Sequence, residues 1–298
     1  MDSPDKPGDA HKLRMAPPET VEETARRIAK EKSKAELTRE SELSHSLAPF
    51  RVGSVSYLNA APLNRGIENE MVLATPAQLA GMLQRNELDA ALVSITEVLF
   101  NDRYDVLDSI AIASLGEVKS VILAHRKPLE EAREIYCDPA SLTSVHLLRV
   151  LLAEKGINPE FKALKDYNFA ELPDFALLIG DRALDFIFGP HEHEVWDLGT
   201  AWFELTSLPF VYAVWALQRQ ADNKPLRRYL REARDFGLDT LDTIIRTRTE
   251  YTHEFRKDYL GWHIHYHLGM DEKDGLDKFV ELLRRHGKVP VYDPKFVF

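Results

Sequence analysis

Val52-Gly53-Ser54-Val55-Ser56-Tyr57-Leu58-Asn59-Ala60-Ala61-Pro62-Leu63 reads as a short buried strand that stops at a polar asparagine, after which Pro62 opens the next element. A strand ending in Ser and Asn beside Pro sets hydroxyl and amide side chains at the carboxyl edge of a sheet. In open α/β sheets that edge is where ligands bind. Outward from this stretch, strands and helices alternate. The strand itself is read over Val52–Tyr57. Thr75-Pro76-Ala77 opens a helix with Thr at the N-cap and Pro at its first position, continuing to Arg85. Ala90–Val93 is a continuous apolar run that fits a strand buried on both faces. Ser109–Ala113 and Val118–Ala124 are further strands. Ser144–Lys155 carries Val145, Leu147, Leu148, Leu151 and Leu152 at helical spacing, with Gly156 to stop it. Phe175–Ile179 and Phe210–Leu217 are buried strands. Residues 224–286 are mostly helical, Asp274–His286 clearly amphipathic. The alternation predicts an α/β protein with parallel sheets flanked by helices.

With 298 residues and 44% hydrophobic content, the chain can bury one large core or two modest ones. A formal net charge of −10 argues against general nucleic-acid or membrane-surface binding, which needs a basic face. It leaves room for an anionic small molecule, since a few local dipoles outweigh diffuse surface charge. Cys137 is the only cysteine, which excludes an intrachain disulfide and a cysteine-based zinc site. No apolar run approaches the roughly 20 residues of a membrane span. Met1–Pro18 lacks the basic-then-apolar order of a secretory signal, so a cytoplasmic protein is expected. Residues 1–49 read as an appended polar extension: Met1–Pro18 disordered on composition, Glu19–Leu47 at best a solvated helix.

Three further segments join the opening one: E-L-D-A-A-L-V-S (Glu87–Ser94), D-P-A-S-L-T-S (Asp138–Ser144) and L-L-I-G-D-R-A-L (Leu177–Leu184). The last is followed by D-L-G-T-A-W (Asp197–Trp202) and L-P-F-V-Y-A-V-W (Leu208–Trp215). In this order and spacing, from Arg51 onward, the chain resembles the chorismate dehydratase family of the futalosine route to menaquinone. The resemblance implies a two-lobed type II periplasmic-binding-protein-like fold with a cleft between the lobes. Residues 50–130 and 208–298 would form lobe I and residues 131–207 lobe II. It implies a carbon–oxygen hydro-lyase that eliminates water from chorismate to give 3-[(1-carboxyvinyl)oxy]benzoate. Two rivals share the fold. One is the 1,4-dihydroxy-6-naphthoate synthase type, which would be expected to use a reactive cleft histidine that none of these motifs offers. The other is a non-catalytic cytosolic binding module for a carboxylate metabolite, since fold does not fix function.

By the same resemblance Asn59 and Ser94 are the catalytic residues. Asn59 offers donors and an acceptor at a strand end; its plain alternative is an Asx-turn or cap for the segment opening at Pro62. Ser94 follows the strand Ala90–Val93, and could simply cap the helix Ile95–Leu99 with Glu97 as capping-box partner. Ser141, Thr143 and Ser144 precede a helix whose free N–H groups suit a substrate carboxylate. Gly180 gives close backbone approach, Asp181 is read as a cap for the helix after it, and Ser56 and Ser120 complete the substrate-binding set. Where family members often carry Arg, this chain has Ala61 and Leu142. No general base stands out, which points to the enolpyruvyl carboxylate of the substrate removing the neighbouring ring proton.

No cofactor and no metal are expected. His263, His265 and His267 alternate in W-H-I-H-Y-H and on a strand would share a face, suited to zinc. The resemblance places them in a variable C-terminal helical region, where helical spacing would scatter them. His191-Glu192-His193-Glu194 reads as a solvated loop.

Overall fold

The computed structural model describes residues 20–44, 47–219, 223–287 and 289–298. They fall into two units, one up to Arg39 and one spanning Glu40–Phe298. The expected reading of Met1–Pro18 lies outside the described residues. The first unit is the exposed part of helix α1 (Val21–Leu43), laced by pairs such as Arg26–Glu22 and carrying no apolar stripe. Leu43 and Leu47 are buried in the core of the second unit, so the polar extension expected to reach residue 49 gives way to packed structure earlier.

The second unit holds two mixed sheets. Eleven strands supply them: β1 (Val52–Ser54), β2 (Met71–Leu73), β3 (Ala90–Ser94), β4 (Tyr104–Ser114), β5 (Val121–His125), β6 (Glu134–Cys137), β7 (Glu160–Ala163), β8 (Phe175–Ile179), β9 (Glu194–Asp197), β10 (Phe210–Gln218) and β11 (Phe296–Val297). The first sheet has the order β11-β4-β10-β3-β1-β2 and the second β7-β6-β8-β5-β9. In the first, β1 runs parallel to β2 and β3, and β10 lies antiparallel between β3 and β4. In the second, β6 runs parallel to β7 and β8, and β5 lies antiparallel between β8 and β9. Each sheet is therefore parallel except for one reversed strand, which corrects the all-parallel expectation. The reversed strands are the first to follow a crossing of the chain from one sheet to the other.

Several boundaries differ from expectation; β4, for one, begins at Tyr104 rather than Ser109. β1 ends at Ser54 rather than Tyr57, because the buried Asn64 side chain takes over the backbone there: its Nδ2 donates to the Val55 carbonyl and its Oδ1 accepts from Ser54 Oγ. Val121–His125, expected within lobe I, pairs with β8 and β9, so the crossing falls near residues 115–120. That crossing is pinned by Asp197, whose carboxylate accepts from the N–H groups of Val118, Lys119 and Thr200. Gly199 is required beside it, since a Cβ there would lie 2.3 Å from the Gly116 carbonyl oxygen.

The helices that matter for the cleft are α2 (Ala61–Asn64), α3 (Pro76–Gln84), α4 (Ile95–Phe100), α5 (Thr143–Glu154), α6 (Gly180–Phe188) and α7 (Leu198–Thr206). α3 starts as its sequence predicts, with Pro76 at its first position and a reciprocal box between Thr75 and Gln78. The tail forms α8 (Lys224–Asp239), α9 (Leu241–Thr247), α10 (His253–Asp258) and α11 (Met270–His286). Between α10 and α11 a π turn (Tyr259–His263) gives way to extended backbone that bridges to Ala113 of β4.

Candidate active site

The carboxyl ends of β1, β3 and β8 meet the start of α5 around one cavity. From the first sheet it is lined by Tyr57, Asn59, Ser94 and Tyr212, with Val55, Leu92 and Ile112 as apolar floor. From the second come Ser120, Leu142, Thr143, Ser144 and Gly180. The structure thus brings together six of the eight residues singled out in the sequence. Ser56 is exposed and faces a separate groove with Ala61 and Arg65, because extended backbone turns alternate residues to opposite sides and Val55 and Tyr57 take the inner one. Ser141 is buried, but its N–H closes a turn on the Asp138 carbonyl and it does not line the cavity.

Both plain alternatives for the central pair fail. Ser94 is the N-cap of α4 by backbone, with φ −53° and ψ 135°, yet its hydroxyl makes no cap hydrogen bond. Glu97, the expected capping-box partner, is buried and accepts from the side chains of Gln84 and Asn101 instead. Asn59 sits within a single 3-10 turn, Leu58–Ala60, and caps nothing; its buried Oδ1 has no hydrogen-bond partner. The structural work once open to Asn59 belongs to Asn64.

Tyrosines complete the first wall and were not singled out from sequence, although Tyr57 and Tyr212 lie inside quoted motifs. The buried Tyr259 hydroxyl lies against Ser120 and Asn59, whose side chains offset part of the burial that raises its pKa. Burial, with Asp138 nearby, pushes the Tyr57 phenol up to about 12, and burial raises Tyr212 as well. All three are neutral hydrogen-bonding groups at physiological pH. Among the described residues lining the cavity there is no carboxylate, imidazole, amine or guanidinium. Of the two positions where arginine is common in the resembled family, Leu142 faces the cavity and Ala61 does not.

The second wall differs in kind. α5 begins behind Leu142, which cannot cap it, so the N–H groups of its first turn have no side-chain cap and point their partial positive charge toward the cavity. Thr143 Oγ1 lies 3.2 Å from Thr96 Oγ1 and accepts from the Thr96 N–H at 3.3 Å, tying α5 to α4. Gly180, at φ +59°, lets the Tyr57 ring approach so closely that a Cβ would sit 3.1 Å from it. Asp181 does not cap α6, as its sequence position suggests; its Oδ1 accepts from the Leu58 N–H of the opposite sheet at 3.1 Å. Burial raises the Asp181 pKa above the ordinary aspartate value. These contacts hold the two sheets closed over the cavity.

Comparison with known proteins identifies the fold and the family. The family model described as menaquinone biosynthesis matches residues 50–285. A chorismate dehydratase of Thermus thermophilus is 34% identical over 260 residues, covering 80% of this chain and 96% of that protein. Among solved structures, a protein of Archaeoglobus fulgidus superposes with a TM-score of 0.65 at 19% identity, covering 79% of this chain and 97% of the other. The periplasmic aliphatic sulphonate binding protein of Escherichia coli gives 0.54 at 14% identity, covering 84% and 93%. The structural likenesses establish the two-lobed binding-protein fold. The family match and the Thermus relative go further: this chain belongs to the chorismate dehydratase family of menaquinone biosynthesis.

Proposed function

We propose that the protein is a chorismate dehydratase, a carbon–oxygen hydro-lyase acting in the futalosine branch of menaquinone biosynthesis. The observation that carries this reading is the cavity in which Asn59, its buried Oδ1 without a hydrogen-bond partner, and Ser94, its hydroxyl capping nothing, face the hydroxyls and helix start of the opposite wall. Chorismate loses a proton from the ring carbon bearing the enolpyruvyl ether and hydroxide from the neighbouring carbon, and the ring becomes aromatic. The reaction is downhill, so the protein need only hold the ring and assist the two departures. Ser94 donates to the leaving hydroxyl, and Asn59 fixes its orientation. A preorganised donor of this kind, where the bound substrate excludes water, is worth about 3 kcal/mol.

A substrate carboxylate seats at the start of α5, where uncapped N–H groups and the Ser144 hydroxyl supply donors that Leu142, in place of the common arginine, does not. With no base among the lining side chains, the enolpyruvyl carboxylate takes the adjacent ring proton, an intramolecular transfer favoured by proximity. The test is to incubate the purified protein with chorismate and follow products by chromatography and mass, with Asn59→Ala and Ser94→Ala in parallel. Loss of one water, collapsing in both variants, is the expected result. Saturable binding of unchanged chorismate would replace this reading with that of a binding module. An analogue lacking the enolpyruvyl carboxylate yet dehydrated at the normal rate would refute the substrate-assisted step.

A further inference from the structure

The tail between α10 and α11 carries a cluster with no part in the cavity. Ile264–Gly269 is extended, and His265 makes both backbone hydrogen bonds with Ala113, N–H to O at 2.8 Å and O from N–H at 3.0 Å. On this backbone Ile264, Tyr266 and Leu268 point inward and are buried. His265 and His267 share the other side, their rings stacked with centroids 5.2 Å apart. The helical spacing expected to scatter these histidines is absent here. Only His263 is diverted, into the π turn, where it bonds to the Glu117 carbonyl and Asp258.

Glu272, in the first turn of α11, folds back to meet the pair. Its Oε2 accepts from the Gly269 N–H at 2.8 Å, which aims Oε1 at the imidazoles, 3.0 Å from His267 Nε2 and 3.8 Å from His265 Nδ1. The carboxylate is 3% exposed and faces no lysine or arginine within ion-pair distance among the described residues. One ligand atom from each of the three residues lies within 4.8 Å of the others. A hydrogen-bonded His267–Glu272 pair explains one imidazole and leaves the buried His265 Nδ1 without a hydrogen bond, 3.8 Å from the same carboxylate. A cation between the three accounts for both.

We propose that His265, His267 and Glu272 form a binding site for a divalent transition-metal ion, zinc being the best fit, that fastens the extended segment to α11. Two imidazoles and a carboxylate are a known zinc ligand set, with ligands about 2.0–2.1 Å from the ion and hence roughly 3.3 Å from one another. The half-open side at His267 lets that ring move inward and leaves a fourth position to water. Gly269 N–H on Oε2 supplies the outer-shell support that fixes a ligating carboxylate.

The experiment uses the full chain after treatment with a chelator. Zinc is titrated by calorimetry, and cobalt(II) by its visible absorption, in the wild type and in His265→Ala, His267→Ala and His263→Ala. One equivalent of zinc is expected at micromolar affinity or tighter. His267→Ala and His265→Ala should each weaken binding by at least about 10–100-fold, the range that loss of an outer-shell partner already costs. His263→Ala should bind as the wild type does. The exposed His267 makes its variant informative even where His265→Ala fails to fold. No saturable binding at micromolar zinc, or equal binding by wild type and His267→Ala, overturns the proposal.

Discussion

The two walls of the cavity are built from equivalent ends of two similar sheets, yet their polar groups are differently engaged. On the first wall Ser94 stands at a helix start without capping it, and Asn59 Oδ1 is buried with no partner. On the second, Thr143 is bonded to Thr96, the Gly180 N–H to the Ser120 carbonyl, and Asp181 reaches across to Leu58. A polar group already satisfied by the protein has little left to give a reacting substrate, and one left unsatisfied in a buried place carries a standing cost. On the function proposed above, the first wall would supply the chemistry and the second the grip and closure.

The largest test of that division is at the first wall. Ser94→Ala and Asn59→Ala should each lower kcat for chorismate by about 10²–10³, with KM changed far less; steady-state kinetics showing a KM effect alone would erase the contrast. Next comes Gly180→Ala on the second wall. A Cβ at φ +59° that also presses on the Tyr57 ring should cost about 1–3 kcal/mol, seen by chemical denaturation, and should raise KM as closure is strained. Thr143→Val keeps the shape of the side chain and removes its hydroxyl. About 1 kcal/mol of closing energy goes with it, which should appear as a KM increase of several-fold at near-constant kcat.

The smallest effect concerns pH. The native Asp181 pKa is raised above the ordinary 3.8, so its burial favours folding most below that value, and the benefit is lost as pH rises through the raised native value. Asp181→Asn keeps an acceptor for the Leu58 N–H and removes the buried charge. Melting curves from pH 4 to 7 should show the variant gaining on the wild type as pH rises. A constant difference would mean that Asp181 titrates normally.

Much of the first wall was legible because its signals are local. The opening strand, the capped start of α3 and the buried run of β3 each rest on neighbours within a few residues, and the family resemblance named Asn59 and Ser94 from the same short motifs. The serines show the limit. Ser56, Ser120 and Ser141 look alike in sequence, and only Ser120 lines the cavity. For Ser56 the deciding fact was the alternation of extended backbone, which turns it away while Val55 and Tyr57 face inward; for Ser141 it was the turn closed on Asp138.

By itself, then, the sequence determined an α/β chain with polar groups at sheet edges and a family whose chemistry suits them, since periodicity and motif spacing are properties of contiguous residues. The tertiary structure alone decided that Thr143 would be occupied by Thr96, that Asp181 would answer to Leu58, and that two tail histidines would converge on Glu272. Each of these joins groups from separate elements, on opposite sheets or across a change from extended chain to helix. Their meeting depends on how whole elements are placed by core packing, which no local pattern of residues encodes.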